Sequence, residues 1–440
     1  MNGSTLSPRR LPRLTIMYPD LPVFFSDREH VSVLEKCDQP VLAALQENDI
    51  GRLDEKKTVH FCGLIHHPEN GTVVFLPREA KTGDPDVDLE TASLTMRALT
   101  RYAAGTSKRE YEDEGDVGDL GTLVVLKRLA DDFRDHGLYS ERVRQQTRNA
   151  GKADWVRTVK KEVAMLDRKG NPVFSDIRTS RATRNTDAIL AQIQAAVIRE
   201  IHHAHGWWLS AISSRREELV SCPMPPFPRG AWARKLDAVL PSLYSTRSIF
   251  LASHLRFYLR ETRNSGNGLY VFGVADFHTI WEAMLRETIV RPRNDSGRNW
   301  NRELPKPVYV LGSSGKVDPR SRGMQADIIY EDTSGYTIVD AKYYAAKNAG
   351  NAPGWPDIAK QMFYEKALRT LVDEPGRPPC NIRNVFAFPS RTGSGPLGAV
   401  EVRRADGYVA NDMFPPVTCV YLEMRSVLAY YVNGVAAVLI

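Results

Sequence analysis

QADIIYEDTSGYTIVDAKYY, residues 325–344, holds two apolar runs around a polar, glycine-containing turn, and each run carries a carboxylate where a buried strand should carry none. With Asp332, Thr333, Ser334 and Gly335 as the turn, Glu331 faces Tyr336, Ile329 faces Ile338, Ile328 faces Val339 and Ala326 faces Ala341. Apolar partners meet at the last three steps, which supports the register. Both faces are apolar near the carboxylates, as in interior strands. The same register sets Asp327 opposite Asp340. Cross-strand neighbours lie ~5 Å apart, and like charges so placed destabilise a sheet. Buried anions need a proton, a cation or several donors. Two converging carboxylates suit a hard divalent cation: Mg2+ first, with Mn2+ as its substitute, since such ions accept a few carboxylates and keep several waters. Lys342, two residues past Asp340, falls on the same sheet face. There its ammonium can act on a water beside the cation or on a substrate phosphate.

Working outward, DFHTIWEAMLRETIV has helical spacing, with Phe277, Trp281 and Met284 or Leu285 on a packing face and Glu282 beside it. PDIAKQMFYEKALRTLV is a second helix, with Pro356 and Asp357 as start signals. PVYVL, NVFAFPS and TCVYLEM supply strands, and STRSIFLASHLRFYLRET a further amphipathic helix. Helix, strand, hairpin, helix and strand make an α/β domain with a mostly buried mixed sheet. CPMPPFPRG at 222–230 sets its boundary, because proline stops a helix from running through. Nearer the start, VHFCGLIHH and GTVVFLP are short strands around the turn PENG, and TASLTMRALTRYAA is helical. The acidic stretch YEDEGDVGDLG closes that module. Between them Ile189, Ile193, Val197 and Ile201 form one helical stripe. The expected division is a mixed α/β module at 1–112, a mainly helical region at 113–221 and an α/β domain at 230–440.

The composition excludes several classes. A chain of 440 residues calls for two or three domains. No run approaches the ~18–20 apolar residues that cross a bilayer, and the arginine-bearing start lacks an apolar signal segment. Five scattered cysteines without a CxxC pair suit a reducing cytoplasm and no structural zinc site. A net charge of +6 permits contact with a polyanion without requiring it. His202, His203 and His205 complement a helix C-terminus; no second ligand cluster accompanies them. Gly312-Ser-Ser-Gly315-Lys316 has two residues where a phosphate loop needs four, and Val317 where it needs a hydroxyl, so it reads as a turn.

The constellation D…DxK on adjacent strands resembles the PD-(D/E)xK nuclease superfamily, with its restriction-endonuclease-like fold. Ala326 stands where the family often has proline. The superfamily often places an acidic group on the preceding helix, here Glu282, for which Glu287 competes. Gln361 and Tyr364, about one turn apart on the following helix, look like the QxxxY motif of the branch holding RecB-like nucleases and McrC, with one residue less between them. The string WEAML…ADIIY…IVDAKYY…DIAKQMFYEKAL is similar to the McrC/LlaJI group of restriction endonuclease subunits, and more to LlaJI. HFCGLI, VVFLP and GKADWVRTV extend the likeness more weakly toward the N-terminus.

The resemblance implies a C-terminal core with a mixed sheet flanked by helices. It implies a Mg2+-dependent subunit cleaving double-stranded DNA with a separate McrB-like AAA+ GTPase, beside a DNA methyltransferase or against modified DNA. Asp327, Asp340 and the Ala341 carbonyl would hold the metal, with Glu282 directly or through water. Lys342 would position the nucleophile or stabilise charge, and Gln361 and Tyr364 would orient Lys342 or the phosphate. Arg291, Arg293, Arg298, Arg302 and Lys306 would hold phosphates, with Trp300 as a stacking group; a solvated loop fits that run equally. The N-terminal half fits partner docking better than DNA reading. A non-catalytic assembly factor that stimulates the partner's nucleotide hydrolysis, and a stand-alone repair nuclease, are the competing readings.

Overall fold

The computed structural model describes residues 22–34, 52–53, 58–67, 71–110, 120–185, 188–209, 215–264, 270–289, 298–310, 317–319, 323–411 and 413–437. The turn PENG in part, the acidic stretch 111–119, Arg291, Arg293 and the glycine turn at 312–316 lie outside the described residues. The chain divides into two compact units, Met1–Val124 with Asn267–Ile440, and Val125–Gly266.

In the first unit the chain forms β1 (Val23–Ser26), β2 (Cys62–His67), β3 (Gly71–Leu76) and α1 (Pro85–Glu110). It returns as β4 (Tyr270–Val274), α2 (Phe277–Thr288), β5 (Ile328–Asp332), β6 (Gly335–Ala341) and α3 (Trp355–Val372). β7 (Ile382–Ser390), β8 (Ala399–Val400), β9 (Val417–Glu423) and α4 (Met424–Asn433) follow. A mixed sheet runs in the order β5-β6-β7-β9-β8. β6, β7 and β9 are parallel, with α3 as the crossover between the first two, and β5 and β8 pair antiparallel at the edges. The hairpin register is the one read from the sequence: Ile328 pairs with Val339, Ile329 with Ile338 and Glu331 with Tyr336. The ladder runs one pair further, to Asp332 and Gly335, so the turn is Thr333-Ser334. Its tightness comes from the Asp332 carboxylate, which accepts the Ser334 N–H at 2.7 Å. Gly335 takes φ 137°, and a Cβ there would sit 2.0 Å from the Asn381 carbonyl.

β6 is flanked on both sides, which explains its near-continuous apolar sequence: Thr337 to Ala341 are all buried. Phe386 and Phe388 of β7 are fully buried beside it, each contributing roughly 2–3 kcal/mol of transfer free energy. α2 buries Phe277, Ile280, Trp281, Met284 and Leu285, the face its spacing predicts.

Two expectations about domains change. The N-terminal strands are not a separate module. β1, β3, β2 and β4 form one sheet in that order, so a strand just upstream of α2 completes a sheet begun some 200 residues earlier. Nothing in YVFGV announces its distant partner. The region 113–221 is helical at Leu120–His136, Trp155–Lys161, Ile189–His205 and Arg216–Ser221, but it also holds strands. Glu141–Arg148 and Arg178–Asn185 pair antiparallel, Lys152–Ala153 extends that sheet, and Ala164–Leu166 pairs with Pro172–Phe174. ERVRQQTR and RTSRATRN lack apolar alternation, so their ladder is invisible to periodicity. Ile189–His205 is the expected helix, ending in the three histidines.

The proline-rich stretch at 222–230 lies inside the second unit rather than between units. The Trp232 indole donates to the Phe227 carbonyl at 2.9 Å, and Lys235 Nζ stands 4.4 Å from the Phe227 ring centroid. Proline stops the helix there without freeing the chain. Among the described residues no helix is long and apolar enough to cross a membrane.

Candidate active site

Asp340 sits on β6, paired laterally with Phe386 of β7, and is 3% exposed. Asp327 precedes β5. Its Oδ2 accepts the Ala341 N–H at 2.8 Å, and its carboxyl lies within hydrogen-bonding reach of Asp340. Burial, then the charges of Asp340 and Glu282, push Asp327 up to about 7. Lys342 Nζ lies 2.8 Å from Asp340 Oδ2 and donates to Asp357 Oδ1 at 2.7 Å. Burial works against its charge, but Asp340 and Asp357 outweigh it and hold the ammonium above the ordinary lysine range. The Asp340 Oδ2 contact is an ion pair outside hydrogen-bonding geometry, so that buried oxygen has no hydrogen bond among the described residues.

Asp327 lies just before β5, so its position depends on neighbours. The Asn301 side chain makes a two-point contact with the Ala326 backbone, accepting its N–H at 3.0 Å and donating to its carbonyl at 2.9 Å. The Tyr364 hydroxyl donates to the Gln325 carbonyl, and Arg286 Nε to the Asp327 carbonyl at 3.3 Å. Tyr364 therefore touches the segment leading into Asp327. Its ring is buried with Ile329, Ile338 and Leu368.

Glu282 and Glu287 separate cleanly. Glu282 is near enough for its charge to raise Asp327, whereas Glu287 pairs with Arg101 at 2.8 Å. For a nuclease site at Asp327 and Asp340, Glu282→Gln is expected to lower DNA cleavage about 10–100-fold, and Glu287→Gln to leave it within about twofold, since exposed ion pairs contribute little. Rates of plasmid linearisation for the two variants check this; equal losses would contradict it. Gln361 is fully buried on α3 with neither amide atom hydrogen-bonded among the described residues. Lys360, one residue earlier, is held above its ordinary value by Asp340 against the opposing effect of burial. Among the described residues no three His, Cys, Asp or Glu side chains form a ready metal cage.

Trp300 is not a stacking group: it is 4% exposed and packs edge-on against Tyr336 at 5.5 Å. Arg298 pairs with Glu303 and lies 4.3 Å over the Trp300 ring.

Asn301 and Lys360 escaped the sequence reading, Asp357 was read only as a helix start, and a buried group behind the site was missed as well. The Tyr343 hydroxyl accepts the Arg78 N–H at 2.8 Å and bonds Asp27, whose carboxyl burial pushes up to about 6. Arg78 Nη1 also donates to the Tyr343 carbonyl at 3.3 Å. The strand end carrying Lys342 is thus held by residues from the start of the chain. No local signal marks partners 265 residues apart.

The chain is similar to a protein named type II restriction enzyme BsuMI component YdjA from Bacillus subtilis (strain 168). Identity is 22% over 397 residues, spanning 85% of this chain and 81% of the relative. Among solved structures, the cryo-EM structure of the Thermococcus gammatolerans McrBC complex aligns with 60% of this chain and 85% of its own, at 13% identity. Its TM-score is 0.29, too low to bear on the fold. The LlaJI restriction endonuclease family matches residues 61–424, from the edge of β2 to the first residue of α4. With most of its length so matched, the chain belongs to the LlaJI restriction endonuclease family.

Proposed function

We propose that this chain is the nuclease subunit of a cytoplasmic anti-phage restriction system. It hydrolyses phosphodiester bonds in double-stranded DNA through a Mg2+-dependent PD-(D/E)xK site, alongside an McrB-like AAA+ GTPase and a methyltransferase or a modified-DNA target. The observation that carries the reading is the meeting of Asp327 and Asp340 in a mostly apolar sheet, with Lys342 on the same side.

The residues fit a hard divalent cation. Two carboxylates held together at a cost, with one buried oxygen that has no hydrogen bond among the described residues, suit an ion with few protein ligands and several waters. Asp327, Asp340 and the Ala341 carbonyl would hold it, with Glu282 acting through water. A bound cation would supply Lewis-acid activation of water and offset charge on the phosphate.

The chain's own groups do the rest. Asp327 is pinned by the Ala341 amide, so its second oxygen is the one left to bind. Lys342 presents a fixed positive charge where negative charge grows on the phosphate oxygens, the preorganised stabilisation that lowers a transition state without reorganisation. Tyr364 and Asn301 keep the Asp327 segment in place.

The test is cleavage of plasmid DNA with Mg2+, GTP and the partner GTPase present, comparing wild type with Asp340→Ala. Wild-type activity that disappears in the variant supports the reading. A variant cutting at the wild-type rate sinks it. If neither protein cuts but both raise the partner's nucleotide turnover, the chain is an assembly factor. Unaided cutting of branched DNA would make it a repair nuclease.

A further inference from the structure

Lys342 has two anionic neighbours, and only one of them belongs to the carboxylate pair. Its ammonium lies 2.8 Å from Asp340 Oδ2 and donates a hydrogen bond to Asp357 Oδ1 at 2.7 Å. Asp340 is buried on β6, while Asp357 sits in the first turn of α3 with its side chain 37% exposed. A carboxylate in the first turn of a helix faces unpaired N–H groups and a favourable dipole. The lysine side chain is itself only 13% exposed, so its charge depends on these two partners rather than on water.

We propose that Asp357 is a positioning residue that retains Lys342 when a divalent cation takes Asp340. This rests on the cation site proposed above. A cation bound by Asp327 and Asp340 competes with the lysine for the same Asp340 carboxylate. Without Asp357 the displaced ammonium would be left part-buried with no described carboxylate to accept it, so it would resist displacement and oppose cation binding. With Asp357 it keeps one charge-assisted hydrogen bond before and after. Asp357 thereby does two jobs. It reduces the competition between Lys342 and the cation, and it holds the ammonium in one place for the phosphate.

Calorimetric titration of Mn2+ into the full-length chain, without DNA, tests this as a double-mutant cycle. Asp357→Asn is expected to weaken Mn2+ binding about fivefold, and in a Lys342→Met background the same change is expected to move it less than about twofold. Wild-type thermal midpoints would show that the variants fold. In cleavage assays Asp357→Asn should lower kcat with KM for DNA nearly unchanged, since the residue acts through Lys342 rather than by binding substrate. Equal Mn2+ affinity of wild type and Asp357→Asn overturns the inference while leaving the cation site standing. An equal loss in both backgrounds also overturns it, because Asp357 would then act on the cation without the lysine. If wild type takes up no Mn2+, the cation site itself fails and this inference with it.

Discussion

Asp327→Asn and Asp340→Ala should both lower DNA cleavage by at least about 10²-fold, yet Asp327→Asn should make the metal-free protein more stable at pH 8. The opposite signs follow from the cost of the pair. Burial and the neighbouring charges of Asp340 and Glu282 raise Asp327 to about 7, above the ~3.9 of an unfolded aspartate. A group raised in the folded state contributes stability that is fully present below the unfolded value and lost as pH rises through the folded one. For Asp327 that window runs from about pH 4 to about pH 7. At pH 8 the folded metal-free chain carries the full penalty of an ionised, part-buried carboxylate.

Asparagine keeps the shape and can still accept the Ala341 N–H through its side-chain oxygen, but it brings no charge. The gain is on the order of 1 kcal/mol, or a few degrees in midpoint. It should shrink toward zero by pH 4, where both forms are neutral. Asp340→Ala lacks this advantage, because it also removes an ion-pair partner of Lys342. Thermal unfolding in chelator at pH 4 and pH 8, beside plasmid cleavage at pH 8, checks both halves. An Asp327→Asn chain that melts below wild type at pH 8 would show that the pair is not strained. One that still cuts would remove Asp327 from the chemistry.

Gly63→Ala should destabilise the first unit by about 3 kcal/mol or more. Gly63 of β2 faces Gly273 of β4 in their antiparallel pairing. Its φ is +151°, and a Cβ there would lie 2.2 Å from the Phe272 carbonyl oxygen and 2.4 Å from the Gly273 Cα. Those contacts are backbone, which cannot rotate away as a flexible side chain would. The opposite glycine is equally constrained, since a Cβ on Gly273 would meet the Phe61 ring at 2.4 Å. The two strands approach so closely only because neither carries a side chain there.

The consequence reaches the candidate site. β4 ends at Val274 and α2, which carries Glu282, starts at Phe277. Parting β2 from β4 should therefore shift the helix that presents Glu282, and cleavage should fall together with stability. Urea unfolding of the variant, read against cleavage at a temperature where it remains folded, measures the effect. A midpoint that shows less than about 1 kcal/mol of loss would mean that this strand pair does not form.

The hairpin and its register were legible from local sequence alone. A one-residue slip would set Ile329 against Thr337 or Ile328 against Asp340, whereas the observed register gives both isoleucines apolar partners and directs Asp327 toward Asp340. Lys342 followed from a two-residue period, and the packing face of α2 from its apolar spacing. These are local rules, set by neighbours a few residues apart.

Which of Glu282 and Glu287 turns to the site was set by long-range packing, because the capture of Glu287 depends on Arg101 of a helix far away in the chain. The same holds for Asn301 bracing Ala326, Asp357 receiving Lys342, and Arg78 with Asp27 bonding Tyr343. Each is a small set of polar contacts between segments that no periodicity connects. The strands at 141–148 and 178–185 escaped for a related reason: their ladder is made by backbone groups that every residue carries, while their side chains show no apolar pattern. Trp300 marks the limit from the other side. An indole in an arginine-rich stretch fits a stacking surface and a packed core equally well, and burial beneath Tyr336 is set by the fold around it.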